Sequence, residues 1–248
     1  RSRDTAFSSS NSFNYNRSQL GFEQVMAYYH IDRTQRYIQS LGFTNVDNRQ
    51  QSVVSNGTTA DNSFYSPSNK GITLGTGGVD DGEDADVIIH EYGHSIQDNQ
   101  VPGFGKTNEG GAMGEGFGDY LAFSMSPISQ TGAYFACIAE WDATSYASGN
   151  PPCLRRLDSN KVYPTNIVNE VHADGEIWSR ALYDIWNDLG KATADKLVIQ
   201  SHFYLTSSAN FTAGANAIIT ANRALFNSSQ NETKLRAIFA ARGIPVTI

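Results

Sequence analysis

The chain has 248 residues, a length that suits one large domain or two small ones. Hydrophobic residues make up 40% of it and charged residues 17%, which allows a packed core and argues against a fully disordered chain. A formal net charge of −7 with scattered Lys and Arg argues against nucleic acid as a partner, and the apolar runs are too short for a membrane-spanning helix.

The first third of the chain predicts one long helix and then a small sheet. Residues 1–18 are rich in Ser and Asn and are expected to be irregular, whereas apolar residues recur at helical spacing over residues 19–41. Gly, Asn and Pro separate three short strand-like runs, at residues 51–54, 63–65 and 71–74. We expect these runs to form a small sheet of hairpins.

The rest of the chain predicts mostly helices. Acidic residues crowd residues 80–86, and because acids favour a first helical turn, we expect a helix over residues 82–99 and a second over residues 108–124. Residues 127–168 are mixed, and four more helices are expected at residues 170–189, 193–205, 213–226 and 232–241. Strands first and helices last predict an α+β fold with two halves, residues 1–126 and residues 127–248.

The most informative motif is the pentapeptide His90-Glu91-Tyr92-Gly93-His94 in the predicted helix over residues 82–99. Residues four apart lie on one face of a helix, so the two imidazoles can hold one zinc ion and Glu91 can reach a water on it. With five His and nine Glu in the chain, chance alone produces about 0.004 matches to this pattern. The alternative of two incidental surface histidines is therefore weak.

A catalytic zinc site needs a third protein ligand, and two glutamates in the next predicted helix are candidates. Glu115 has Asp119 four residues later on the same face, where a carboxylate can accept a hydrogen bond from a zinc-bound imidazole. Glu109 points about 240° around the helix from that face, so we assign Glu115 to zinc and Glu109 to a cap or the surface. The many glycines of this helix predict close approach to the helix that carries His90.

Two cysteines, Cys137 and Cys153, flank a loop-like segment and can form one disulfide in an oxidising compartment, the alternative being two free thiols. Asn, Ser, Thr and Gln dominate the polar residues, a composition that is common in secreted proteins. No apolar segment follows the first residues, so we expect a mature or trimmed chain.

Three segments resemble the gluzincin metallopeptidases, the clan of thermolysin: HEYGH, the glycine-rich residues 108–119 and residues 171–178. Together they are most similar to the fungalysin family. The resemblance implies a zincin-like N-terminal half with a small sheet and the HExxH helix, a mostly helical C-terminal half, and a cleft between them. It also implies one catalytic Zn²⁺ held by His90, His94 and Glu115, and a propeptide that has been removed.

The resemblance implies roles for further residues. His172 would stabilise the oxyanion of the tetrahedral intermediate. Asn62 and Ser63 would belong to an edge strand that pairs with the substrate backbone. Leu154 would line the primed-side pocket and Arg155 would contact a substrate carbonyl. The alternatives are an ordinary edge strand and a surface arginine.

Two departures from the pattern of the clan are visible. Residues 104–106, which precede the third-ligand helix, contain no Tyr, so oxyanion stabilisation would rest on His172 or on another residue such as Tyr163. The acids that bind two calcium ions in thermolysin are sparse here. Residues 80–86 could still bind Ca²⁺, although we favour a solvated helix cap.

We therefore predict a secreted zinc endopeptidase, monomeric and without nucleic-acid or membrane partners, that acts on peptide or protein substrates. Glu91 would take the proton of the attacking water and pass it to the leaving amine. An apolar residue just after the scissile bond would be preferred, because Leu154 and Val87 are the candidate pocket walls. The alternatives are a zinc-binding pseudoprotease or other non-catalytic module, and an exopeptidase on the same fold.

Overall fold

The computed structural model describes residues 5–126 and 130–248, and within them lie seven α-helices, a three-stranded sheet and a two-stranded sheet. The helices are α1 (Gly21–Ser40), α2 (Ala85–Gln100), α3 (Asn108–Met125), α4 (Val171–Leu189), α5 (Lys191–His202), α6 (Phe211–Leu225) and α7 (Ser229–Ala241). The strands are β1 (Ser52–Thr58), β2 (Phe64–Ser66), β3 (Gly71–Gly75), β4 (Cys137–Ile138) and β5 (Arg155–Arg156). The α+β class predicted from the sequence is confirmed.

Helix α2 begins later than predicted because the acids before it form a separate 3-10 turn, Asp81–Glu83. The side chain of Asp84 then caps α2 by accepting a hydrogen bond from the backbone N–H of Asp86. Asp81, Asp84 and Asp86 are all buried, so the expectation of a solvated cap is wrong. Their carboxylates turn inward because each accepts hydrogen bonds from other segments, namely from Ser63, from the backbone N–H of Asp142 and from that of Ala139.

The three-stranded sheet has the order β1-β3-β2, and the prediction of hairpins throughout is wrong. Strands β2 and β3 are antiparallel, with Tyr65 opposite Ile72, but β1 runs parallel to β3, with Val53 opposite Ile72. This pairing lets β1 contact α1 and β2 contact α2, so that each outer strand packs on a different helix. Strand β2 is consequently an edge strand.

Helix α3 packs on α2 and on α4, and its glycines permit both contacts. A Cβ atom at Gly118 would lie 2.6 Å from Nδ1 of His90 on α2, as predicted for close approach to that helix. A Cβ atom at Gly116 would lie 2.5 Å from the carbonyl oxygen of Gly175 on α4. Phe117, between the two glycines, is fully buried in the hydrophobic core.

Cys137 and Cys153 form the predicted disulfide, which joins β4 to the residues just before β5. The bridge therefore holds the segment that carries Leu154 and Arg155. The predicted boundary between two halves, at residue 127, lies outside the described residues, and the division stays a prediction. None of the helices in the described ranges is both long and apolar enough to cross a membrane.

Candidate metal centre and active-site cleft

Helix α2 presents His90 and His94 on one face, with their Nε2 atoms 3.1 Å apart. Glu115 reaches both from α3, with Oε2 at 3.2 Å from Nε2 of His90 and Oε1 at 3.5 Å from Nε2 of His94. Ligand atoms at zinc-binding distances around a tetrahedral ion are about 3.3–3.6 Å from one another. The three residues therefore fit a single zinc ion.

The electrostatics of these three residues also favour a cation. Burial disfavours the charged form of His90, but the hydrogen bonds and charges of Asp119 and Glu115 outweigh it and raise the pKa of His90 to about 10. Burial alone would raise the pKa of Glu115, yet the charges of His94, His90 and His172 lower it to about 2. A metal ion can take the place of the proton on His90 beside this anionic carboxylate.

Asp119 orients His90 from the side opposite Glu115. Its Oδ1 accepts a hydrogen bond from Nδ1 of His90 at 2.9 Å, which leaves Nε2 free to bind a metal ion. Arg155 donates to both oxygens of Asp119, from Nε at 2.7 Å and from Nη2 at 2.8 Å. Burial alone would raise the pKa of the Asp119 carboxyl, but the Arg155 guanidinium holds it well below its usual range.

Arg155 is thus tied to the metal centre, and its side chain is only 12% exposed. The sequence resemblance assigns it to the substrate, and it does line the cleft. Its Nε and one N–H of Nη2 donate to Asp119, so a direct contact with a substrate would use the remaining N–H groups of Nη1 and Nη2. Its support of Asp119 is a role that sequence reasoning missed, since no local signal joins residues so far apart in the chain.

Glu91 lies on α2 between the two imidazoles and lines the cleft while being only 6% exposed. Its Oε2 atom is buried and has no hydrogen-bond partner among the described residues. It is not part of the group of potential metal ligands formed by His90, His94 and Glu115. A carboxylate with a free oxygen beside a metal centre can accept a proton from a water molecule.

His172 lies in the first turn of α4, with its Nε2 atom 3.4 Å from Oε2 of Glu115 and its side chain 53% exposed. Its Nδ1 donates a hydrogen bond to Glu170 at 2.7 Å. Because Nδ1 carries that proton, Nε2 can donate to a substrate only when the ring holds both protons. The role of Glu170 was not predicted, and its carboxylate also caps α4 by accepting hydrogen bonds from the backbone N–H groups of His172 and Ala173.

The other predicted substrate residues lie around the same cleft, which has a volume of about 1040 Å³. Asn62, Ser63, Val87 and Leu154 all line it. The hydroxyl of Ser63 donates to Asp81 and is therefore occupied within the protein. Edge strand β2 follows directly on Asn62 and Ser63, so this side of the cleft offers a strand edge to an extended peptide.

Glu109 lies away from the metal centre and joins α3 to α6. Its carboxylate accepts hydrogen bonds from the backbone N–H of Phe211 at 2.9 Å and from the hydroxyl of Tyr163 at 3.1 Å. The cap of α3 is Thr107, which accepts from the backbone N–H of Gly110. The hydroxyl of Tyr163 is therefore bound to Glu109, and of the two candidate oxyanion donors only His172 contacts a candidate metal ligand, Glu115.

The sequence of the chain is similar to those of known proteins. The family model of the fungalysin metallopeptidases matches residues 73–247 of the chain. Extracellular metalloproteinase 2 of Trichophyton tonsurans is 28% identical over 191 residues, and the extracellular metalloproteinase mep of Aspergillus fumigatus is 28% identical over 193 residues. Both alignments cover 65% of this chain, which spans only 30% of the length of each relative. Because the family model covers most of the sequence, including His90, His94 and Glu115, the chain belongs to the fungalysin family of metallopeptidases.

Proposed function

We propose that this chain is a zinc-dependent endopeptidase that cleaves peptide bonds in peptide or protein substrates. The observation that carries the proposal is the convergence of His90, His94 and Glu115 beside Glu91 in one cleft. Three protein ligands leave a fourth position for water or substrate, as in catalytic rather than structural zinc sites. The names of the relatives, which are extracellular metalloproteinases, support the same activity.

The residues around the metal centre can divide the chemistry between them. A bound zinc ion would supply an acidified water molecule and a polarised scissile carbonyl. Glu91 would accept the proton of the attacking water and pass it to the leaving amine. His172, with both ring nitrogens protonated, would donate a hydrogen bond from Nε2 to the oxyanion. The carboxylate of Glu170 orients the ring by accepting a hydrogen bond from its Nδ1.

The cleft supports a preference for an apolar residue just after the scissile bond. Leu154 is 39% exposed and lines the cleft together with Val87. An extended substrate that pairs with β2 would present alternate side chains to pockets beside it. A peptide library tests this preference, and selection of acidic residues at that position would reject the pocket without affecting the zinc chemistry.

We also propose that the protein is secreted and acts as a monomer after removal of a propeptide. The Cys137–Cys153 disulfide supports an oxidising compartment. The relatives that carry the word extracellular in their names support the same location.

Hydrolysis of casein with and without a zinc chelator tests the activity. The purified protein should bind one zinc ion, digest casein, lose this activity with the chelator and regain it when zinc is returned. A protein that holds zinc with full occupancy and digests neither casein nor short peptides would be a pseudoprotease.

A second candidate activity is that of an exopeptidase that removes amino-terminal residues. Asp61, Asp81 and Asp142 line the same cleft, where their carboxylates could bind a free α-amino group. An N-acetylated peptide separates the two candidates. An endopeptidase cleaves it internally, whereas an aminopeptidase requires the unblocked terminus.

A further inference from the structure

Three aspartates outside the zinc-type centre bring their carboxylates together at the cleft. Asp61 precedes β2, Asp81 lies in the 3-10 turn before α2, and Asp142 begins a 3-10 turn after β4. One oxygen from each lies within 4.8 Å of the other two. Two oxygens bound to the same Ca²⁺ are at most about 5 Å apart, so these three oxygens could share one calcium ion.

Asp81 and Asp142 are buried, with exposures of 3% and 5%, yet each has one oxygen without a partner. The hydroxyl of Ser63 donates to Oδ2 of Asp81, and the hydroxyl of Tyr146 donates to Oδ2 of Asp142 at 2.6 Å. The Oδ1 atom of each has no hydrogen-bond partner among the residues that the structure describes. Buried anionic oxygens are costly unless a cation or a proton compensates them.

The cluster has no cationic side chain to provide that compensation. Within residues 5–126 and 130–248, no Lys or Arg forms an ion pair with any of the three aspartates. The adjoining loop is also shaped to approach Asp61. A Cβ atom at Gly78 would lie 2.7 Å from Oδ2 of Asp61 and 2.6 Å from the hydroxyl oxygen of Ser145, and the φ angle of +67° at this position also favours glycine.

The pKa values of Asp81 and Asp142 agree with the absence of a compensating cationic side chain among the described residues. Burial raises the pKa of Asp81 to about 7, the charges of Asp142 and Asp61 add to the rise, and the hydrogen bond from Ser63 opposes it. Burial also raises the pKa of Asp142. Without a bound cation, the cluster therefore retains protons at a pH at which isolated aspartates are ionised.

We propose that Asp61, Asp81 and Asp142 bind one calcium ion. An oxygen-only set of three carboxylates suits Ca²⁺, which accepts irregular geometry and completes its coordination with water. Asp84 and Asp86 do not belong to the set. The carboxylate of Asp84 caps α2, and that of Asp86 accepts hydrogen bonds from the hydroxyl of Ser126 and the backbone N–H of Ala139. Of residues 80–86, which the sequence offers as possible calcium ligands, only Asp81 belongs to the proposed site.

The ion would connect three segments that border the cleft. Asp61 directly precedes Asn62 and Ser63, the residues predicted to contact the substrate backbone. A calcium ion would therefore fix the entry to β2 against the turn before α2 and the segment after β4. This inference does not depend on the proposed peptidase activity.

Calcium titration of the zinc-containing protein in calcium-free buffer tests the proposal by calorimetry and thermal denaturation. The wild-type chain should bind one Ca²⁺ and show a rising Tm, with little response to Mg²⁺. Asp61→Asn removes an exposed ligand without disturbing the core and should weaken calcium binding by roughly tenfold or more. Asp142→Asn should abolish it, while the control Asp188→Asn, on the far part of α4, should match the wild type.

Two results of the binding experiments would overturn the site, and a third result, from peptide cleavage, would do so as well. One is the absence of binding heat and of a Tm shift up to about 10 mM Ca²⁺, above the range of weak extracellular sites. The other is an unchanged calcium affinity in both Asp61→Asn and Asp142→Asn, which would locate the ion elsewhere. The third result is that Asp61→Asn no longer cleaves peptides with a basic residue or a free amino terminus near the scissile bond, while calcium has no effect on the wild-type chain. The cluster would then bind a positively charged group of the substrate instead of Ca²⁺. None of the binding readouts requires peptide hydrolysis.

Discussion

Arg155 and Asp119 form an ion pair through two hydrogen bonds, and Asp119 also contacts His90, the proposed metal ligand. The guanidinium keeps the buried carboxylate anionic, and the carboxylate in turn fixes the ring and tautomer of His90. Arg155 therefore supports the candidate metal centre through Asp119, and it also lines the cleft.

We expect Arg155→Ala to lower zinc affinity by about 10- to 100-fold, the usual effect of losing a group that orients a metal ligand. Arg155→Lys should have an intermediate effect, because lysine keeps the charge but cannot make both hydrogen bonds to Asp119. Competition with a chromogenic chelator measures the affinity. If Arg155→Ala raises KM and leaves zinc affinity unchanged, the residue acts on the substrate alone, as the sequence resemblance implies.

Glu91→Gln should retain zinc and lose most of its turnover. The amide cannot accept a proton, and Glu91 lies outside the group of potential ligands. Zinc content and kcat are measured on the same preparation. Turnover close to that of the wild type would rule out Glu91 as the general base.

Glu115→Ala should lose zinc, whereas Glu109→Ala should retain it and be less stable. Glu109 accepts hydrogen bonds from the backbone of Phe211 and the hydroxyl of Tyr163, so its loss should cost about 1–3 kcal/mol of unfolding free energy. Metal analysis and urea denaturation of both variants check the two effects. An empty metal site in Glu109→Ala would show that the ligand assignment is wrong.

His172→Ala should lower kcat by about 100-fold with little change in KM, as expected for a hydrogen bond made mainly in the transition state. Glu170→Gln keeps a hydrogen-bonding group beside Nδ1 but removes the charge, so we expect a smaller loss of kcat and again an unchanged KM. Steady-state kinetics on one fluorogenic peptide suffices for both variants. A purely structural role for Glu170 would instead lower Tm and leave kcat unchanged.

Asp86 should make the stability of the calcium-free protein depend on pH. Burial, together with the charges of Asp84 and Glu140, raises its pKa from 3.8 to about 8. Between about pH 4 and about pH 8 the folded state therefore holds a proton that the unfolded state has lost, and stability falls as the pH rises through this window.

Asp86→Asn removes this titration, so its Tm should rise relative to that of the wild type as the pH increases from about 4 to about 8. Comparing the two proteins at each pH cancels the contributions of groups that do not interact with Asp86. The exposed Asp188→Asn serves as the matched control and should show no such trend. A constant difference in Tm between Asp86→Asn and the wild type across the range would mean that Asp86 is ionised throughout.

The parts of the site that depend on local geometry could be predicted from the sequence. The spacing of His90 and His94, and that of Glu115 and Asp119, determines their common face as soon as the segments are helical, because residues four apart always lie together on a helix. The disulfide could also be predicted, because a chain with two cysteines allows only one intramolecular pairing. The resemblance then indicated His172, whose position at the start of α4 is again set by a local capping residue.

Only the tertiary structure decided the contacts between residues far apart in the chain. The parallel pairing of β1 with β3 depends on where α1 and α2 pack, which strand-like periodicity does not record. The ion pair of Arg155 with Asp119 and the meeting of Asp61, Asp81 and Asp142 likewise arise from the packing of separate segments. Local sequence sets which face of an element is apolar or acidic, whereas the burial that leaves two of those carboxylate oxygens unpaired exists only after the elements have assembled.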